Sequence, residues 1–367
     1  MDKEVIYWQH EAVALLKELI ETPSFSKEED RTATVLMNFL EKHQARPQRV
    51  LNNVFAVSKN FNPAKPTILL NSHHDTVKPN SNYTKDPFKA LVEEGKLYGL
   101  GSNDAGGPLV SLICTFLYLN DKSLSYNLII AATAEEEISG KNGIEYLLAQ
   151  DATIFPFAGK GDDFGIVGEP TLMQLAIAER GLMVIDAQTE GKAGHAAREE
   201  GDNALMKTIH DLANLDVVKL FTKVSDFLGP VKITPTVIHT ENKAHNVVPA
   251  TCNYVLDCRI NELYAFEEVL KILQENLHAT LKPRSTRLKS SIIQKDHPIV
   301  LAGIEMGKTP YGSPTTSDKA LMPFPALKMG PGDSARSHSP NEFIYLEEIH
   351  KGIEDYITLI KMVASPA

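Results

Sequence analysis

The sequence predicts an α/β protein: a sheet flanked by helices, interrupted by a smaller α+β domain. Three observations predict it. Apolar strand-like runs alternate with helix-period segments through the first half of the chain. Several of those runs end in His, Asp or Glu, at the strand ends where open α/β sheets bind ligands. From about Leu175 the character changes to period-two strands and two helices in a β-α-β-β-α order, which suits a compact α+β unit. A chain of 367 residues is also too long for one growing core, so two domains are expected.

In order, Ala12, Leu15, Leu16 and Leu19 give helical spacing over 2–21, stopped by Thr22-Pro23. Val35, Leu36, Phe39 and Leu40 place a second helix over 28–43, and 53–59 reads as a strand. The apolar strand 66–71 runs into Ser72-His73-His74-Asp75. A strand at 96–98 leads to the glycine-rich turn 99–104, then to a buried helix over 108–119. The buried strand 126–133 is followed at once by Ala134-Glu135-Glu136-Glu137. A helix over 143–150 precedes a short strand at 164–167, which ends in Gly168-Glu169-Pro170. The second region shows strands at 181–190, 232–240 and 250–259, helices at 203–215 and 263–277, and a loop with His245-Asn246. Ser317-Asp318 and the segment 331–360 return to the first domain, with a terminal helix over 346–362.

Composition narrows the function classes. Against 37 Lys+Arg stand 47 Asp+Glu, a formal charge of −10, which argues against a general nucleic-acid surface. Three cysteines do not make a disulfide scaffold. No apolar run reaches the roughly 18 residues of a membrane span. The first residues are acidic where a signal peptide would be positive, so a cytoplasmic location is expected.

Chemistry concentrates in His73, Asp75, Asp104, Glu136, Glu137, Glu169 and His338, each just after a strand or in a turn. Imidazole with carboxylate oxygen suits zinc, manganese or cobalt. A carboxylate such as Asp104 can bridge two ions, and a further carboxylate is needed to take a proton from water. Each piece also has a plain reading: His-x-Asp arises by chance, and acidic residues cap helix N-termini. Cys114 lies in an apolar helix, and Cys252 and Cys258 fall on one face of one strand without metal-ligand spacing. Residues 302–309 nearly imitate a phosphate loop, but Gly303 is misplaced. No nucleophile elbow, dinucleotide loop or His-Glu-x-x-His helix occurs.

Taken in order, these motifs resemble the M20 family of metallopeptidases and amino-acid deacylases over almost the whole chain. The resemblance implies a zinc-exopeptidase-like catalytic domain in two pieces, about 1–172 and 289–367, with an inserted lid and dimerisation domain at about 173–288. It implies two divalent metal ions, most simply zinc, with cobalt or manganese as alternatives. His73 and Glu169 would hold one ion, Glu137 and His338 the other, and Asp104 would bridge. Asp75 would orient His73, and Glu136 would be the general base, although Glu135-Glu136 is also a pair and leaves a second register open. In the lid, His195 resembles the residue that stabilises the oxyanion in the partner's site; a plain turn histidine is the alternative. Asn246 and Arg259 resemble binders of a substrate carboxylate, with a surface salt bridge from an edge strand as the other reading of Arg259. Leu100 stands where the family commonly has Arg, and Ala105-Gly106-Gly107-Pro108 follows Asp104 in place of Met-Lys-Gly-Gly. Gly330-Pro331-Gly332-Asp333 with the following His338 resembles the acetylornithine deacetylase branch, and Leu100 resembles its acetylcitrulline-cleaving relatives. The expected reaction is hydrolysis of an N-acyl amino acid, with a desuccinylase or a di- or exopeptidase as alternatives. The expected partners are that small substrate and a second copy through the lid, with no nucleic acid and no membrane.

Overall fold

The computed structural model describes residues 2–198 and 200–365. They divide into two compact units, one made of the residues up to Ile177, Ile293–Tyr311 and Ser317 onward, the other of Ala178–Ile292 and Gly312–Thr316.

The first unit is built on a sheet whose centre is four parallel strands in the order Asn127–Thr133, Thr67–His73, Phe164–Val167 and Ala326–Lys328. The first two are buried at all seven positions, which is why their apolar residues, 68–70 and 128–132, are consecutive rather than alternating. Strand Asn53–Val57 adds antiparallel beside Asn127–Thr133, and Gln48–Val50 lies outside it. Thr67–His73 comes first in the chain among the four, yet pairs on one side with Asn127–Thr133 and on the other with Phe164–Val167. The strand order therefore reverses at Thr67–His73, and the crevice beyond its C-terminal end is the expected ligand position.

Helix Gly107–Leu119 is buried along its whole length and packs on Thr67–His73, on Lys3–Ile20 and on the terminal helix Leu346–Ala364. The opposite face of the sheet is closed by Ile144, Leu147, Phe155, Phe157 and Met322, packed against Phe55, Leu69, Ile129 and Val167. Helix Lys3–Ile20 begins at Asp2, whose side chain accepts the Glu4 N–H, and ends before Thr22-Pro23 as its sequence requires. The segment that resembles a phosphate loop is the end of helix Pro298–Glu305 and the turn after it. There a Cβ on Gly303 would lie 2.7 Å from the Leu175 side chain, so this glycine serves packing.

The second unit is a four-stranded antiparallel sheet in the order Lys232–His239, Thr251–Ile260, Gly181–Glu190, Thr280–Pro283. Thr251–Ile260 alternates strictly between half-buried and buried positions, and Cys252, Tyr254, Leu256, Cys258 and Ile260 point inward. Helix Phe266–Asn276 adds Phe266, Val269 and Leu273 to the same core. Helix Ala204–Asn214 turns Ala204, Thr208 and Asp211 inward.

All three cysteines are free and fully buried. Burial pushes the Cys114 thiol well above its usual range and Cys258 up to about 12. Native protein should therefore titrate no thiol with a disulfide reagent over minutes, and three after denaturation. Fast reaction of any thiol in the native state would contradict this packing. Among the described residues no helix is long and apolar enough to cross a membrane.

Candidate metal centre

The polar strand ends of the first unit meet at one place. Thr67–His73 delivers His73, Asn127–Thr133 is followed by Glu136 and Glu137, and Phe164–Val167 is followed by Glu169. Asp104 arrives on the turn Ser102–Gly106. That turn is entered through Gly101 at φ +73°, where a Cβ would also stand 2.6 Å from the Thr76 side chain, so only glycine fits. His338 comes from the loop before strand Phe343–Tyr345 and itself adopts φ +56°. The two loops are tied reciprocally: the Asn103 side-chain amide donates to the Asp333 carbonyl at 3.0 Å, and its oxygen accepts the Asp333 N–H at 3.1 Å.

Distances define two groups that share one residue. His73 Nε2 stands 3.4 Å from Asp104 Oδ1, 3.8 Å from Glu169 and 3.9 Å from Glu136. His338 Nε2 stands 3.0 Å from Glu137 and 3.7 Å from Asp104 Oδ2. The two Asp104 oxygens thus face different imidazoles. Ligand atoms of His73, Asp104 and Glu137 all lie within 4.8 Å of one another, as do those of His73, Glu136 and Glu169. His73 Nδ1 contacts the Asp75 backbone carbonyl at 3.0 Å, which leaves Nε2 facing the carboxylates.

The donor set and its charge fit divalent cations. Asp104, Glu136, Glu137, Glu169 and the buried Asp318 crowd around two imidazoles, an arrangement that strongly favours positive charge between them. Burial, opposed by His73, then the charges of Glu169, Asp318 and Glu137, hold the Glu136 carboxyl well above the usual carboxylate range. Asp318 is pushed up to about 6, chiefly by burial. His338 is raised to about 9, first by its contact with Glu137.

Supporting residues differ in part from the sequence expectation. The Asp75 carboxylate lies 3.4 Å from His73 Nδ1, farther than its own carbonyl. Its oxygens instead accept the backbone N–H groups of Glu136 at 3.0 Å and Glu137 at 3.2 Å, and the Ser26 hydroxyl at 2.7 Å. Asp75 therefore fixes the Glu136-Glu137 turn as well as the strand end that carries His73. Glu135 takes a left-handed conformation, and its carboxylate accepts from the Asn142 amide at 2.8 Å. His74 is buried between Thr32 Oγ1 and the Asn52 carbonyl, each at 2.9 Å, and burial lowers its pKa to about 4.

Two acidic residues were not singled out by the sequence. Asp318 accepts the Thr133 hydroxyl at 2.7 Å from behind the site. Glu342 is buried and accepts three backbone N–H groups of the Asp104 turn, from Gly101, Asn103 and Asp104, at 3.0, 2.8 and 2.9 Å. Burial, then the Asp104 charge, push it up to about 8. The available signal was the position of Glu342 four residues after His338.

The remaining expected residues lie in the second unit. His195 is exposed on the two-residue strand Gly194–His195, which pairs with Val247–Val248. The Asn246 carbonyl accepts the Ala196 N–H at 2.9 Å, so Asn246 and His195 are neighbours. Arg259 lies apart from them, on a central strand and not an edge. Its Nε and Nη2 donate to Asp257 at 2.7 and 3.1 Å, the bidentate arrangement suited to a carboxylate.

The chain is similar to acetylornithine deacetylase from Proteus mirabilis, 28% identical over 90% of this chain and 91% of the relative. It is also similar to succinyl-diaminopimelate desuccinylase 2 from Ruegeria sp., 27% identical over 73% of this chain and 69% of that one. Among solved structures, an M20 family metallo-carboxypeptidase from Sulfolobus solfataricus matches with a TM-score of 0.73, covering 99% of both chains at 18% identity. A tripeptidase from Staphylococcus aureus matches with a TM-score of 0.76, covering 97% of this chain and 98% of that one at 17% identity. At such identities the structures speak for the fold alone. Residues 69–362 match the description "Peptidase family M20/M25/M40", and with its two candidate metal-binding groups the chain belongs to that family of metal-dependent hydrolases.

Proposed function

We propose that the protein hydrolyses the amide bond of an N-acyl amino acid of the acetylornithine or acetylcitrulline type, releasing the free amino acid and a carboxylate. The observation that carries this reading is Asp104 set between His73 and His338, with the half-buried Glu136 beside them. In this reading His73, Asp104 and Glu169 hold one divalent ion and Asp104, Glu137 and His338 the other. Zinc is the first choice for that donor set, with cobalt or manganese as alternatives. Bound there, the ions acidify water and polarise a carbonyl oxygen. Glu136 accepts the proton of the attacking water and returns it to the leaving amine, a role suited to a carboxyl whose affinity for protons is already raised. Asp75 holds the two N–H groups behind Glu136 and Glu137, so base and ligand keep their mutual position.

The segment 173–288 would serve as lid and dimerisation domain. His195, supplied by a second copy, would donate to the developing oxyanion. Asn246 and Arg259 would bind the substrate carboxylate, and Arg259 would exchange its pairing with Asp257 to do so. The similarity to acetylornithine deacetylase over nine-tenths of both chains supports this substrate class. The desuccinylase similarity supports a succinylated amino acid as the second reading.

A hydrolysis screen with metal supplementation tests both. Acetylornithine, acetylcitrulline, succinylornithine and several dipeptides would be compared by kcat/KM. The proposal expects an acetylated amino acid to lead by at least about tenfold, which corresponds to roughly 1.4 kcal/mol of differential transition-state binding. Preference for succinylornithine would establish the second reading. Preference for dipeptides would overturn the deacylase assignment.

A further inference from the structure

We propose that the second unit carries an additional binding site for a divalent cation of the zinc class, formed by His210, Asp211 and His278. It is separate from the catalytic groups and rests on none of the roles proposed for them. Among the described residues these three form the one further group of potential ligands whose donor atoms all lie within 4.8 Å of one another.

The geometry comes from two elements. His210 and Asp211 are adjacent on helix Ala204–Asn214, and His278 stands just ahead of strand Thr280–Pro283. Adjacent helix residues do not normally face a common point. Here Asp211 is buried at 2% exposure while His210 remains exposed, and His278, from ahead of strand Thr280–Pro283, meets both. The Asp211 carboxylate accepts the His278 backbone N–H at 3.0 Å on one oxygen and faces His278 Nδ1 at 2.6 Å with the other. The His210 and His278 rings meet edge to face with centroids 5.7 Å apart.

Two features point beyond a plain ion pair. First, Asp211 is a buried carboxylate whose two oxygens both face His278, and a carboxylate so removed from water gains from a cation beside it. A divalent ion held between Asp211 and the two imidazoles would supply that charge. Second, a cavity of about 640 Å³ opens at the two imidazoles and is also lined by Glu190 and Asp202. Lys207, the cation on this rim, is paired with Asp202 and with the Glu190 carbonyl, so its charge is already committed. Two imidazoles and one carboxylate, with solvent on the open side, suit zinc, cobalt or nickel better than calcium or magnesium. Binding requires the Asp211–His278 contact to widen to about 3.3 Å, so that each atom stands about 2.0–2.1 Å from the ion. It would clamp the helix to the strand.

The experiment is equilibrium dialysis of the full-length protein against micromolar free zinc, followed by metal analysis. The readout is the difference between wild type and the His210→Ala/His278→Gln double variant. The variant keeps the His278 backbone bond to Asp211, and both substituted side chains are exposed. The expected difference is one equivalent per chain, with kcat/KM for the best substrate of the screen unchanged. Asp104→Asn, which disturbs only the catalytic group, should keep the equivalent that the double variant loses. A difference of zero, with both proteins folded by circular dichroism, overturns the site. If the double variant loses its fold, His210→Ala alone decides, by the same difference.

Discussion

Glu136→Gln is expected to lower kcat by roughly 10²–10⁴-fold, the usual contribution of a general acid–base group, with the metal content of the protein unchanged. Glutamine keeps the size and shape of glutamate but cannot accept a proton from water. Glu136 sits 3.9 Å from His73 Nε2, the longest of that nitrogen's three carboxylate contacts, and its proton affinity is raised by desolvation and by the neighbouring carboxylates. Removing its charge relieves repulsion from Glu169, Asp318 and Glu137, so the variant should be no less stable than wild type. The companion variant is Glu135→Gln. Its carboxylate is held by Asn142, on the far side of a left-handed turn, and its loss should cost activity only through that turn. The two readings of the Glu135-Glu136-Glu137 run therefore separate in one experiment. Steady-state rates and metal analysis on both variants check it. A Glu136→Gln protein turning over within tenfold of wild type would remove Glu136 from the proton-transfer role.

The parts of this site that could be read from sequence are those where local chemistry and fold position coincide. Thr67–His73 and Asn127–Thr133 are seven-residue buried strands with consecutive apolar residues at their centres, so the polar residues at and just beyond their C-terminal ends stand out. His73, Glu136 and Glu137 were visible for that reason. Glu169 was visible because Phe164–Val167, although short, is wholly apolar and buried. The fourth parallel strand, Ala326–Lys328, has three residues, too few to show any periodicity. Asp318 and Glu342 were hidden differently. Neither follows a recognisable strand, and their partners are a hydroxyl and three backbone N–H groups 185 to 241 positions away in the sequence. Long-range bonds to backbone atoms leave no residue-type signature. Asp75 itself was visible beside His73, but its bonds to the Glu136 and Glu137 N–H groups, which any residue would offer, were not. In the second unit, strict alternation revealed Gly181–Glu190 and Thr251–Ile260 because one face is wet. The four-residue strand Thr280–Pro283 gave no such pattern.

The second large effect is expected at Asp104. Its two oxygens face two different imidazoles, at 3.4 and 3.7 Å, so one side chain serves both proposed ions. Asparagine retains one acceptor oxygen and replaces the other with an NH₂ group that can only donate. Asp104→Asn should therefore weaken both ions together rather than one, and turnover should fall below detection at metal concentrations that saturate wild type. Glu342→Gln supplies the intermediate case. Glu342 touches neither imidazole, but its carboxylate receives the Gly101, Asn103 and Asp104 N–H groups and so sets where Asp104 stands. A glutamine NH₂ turned toward those N–H groups cannot accept them, and the turn should shift. Substitutions that act through a ligand in this way typically cost 10–100-fold in metal affinity. The predicted order of metal affinity is wild type, then Glu342→Gln, then Asp104→Asn, measured by dialysis against a series of free zinc concentrations. Excess zinc should restore turnover to Glu342→Gln but not to Asp104→Asn, because only the former keeps both ligand oxygens. If Asp104→Asn instead retained one ion at wild-type affinity, Asp104 would be a ligand to a single metal, and the shared-carboxylate arrangement would be wrong.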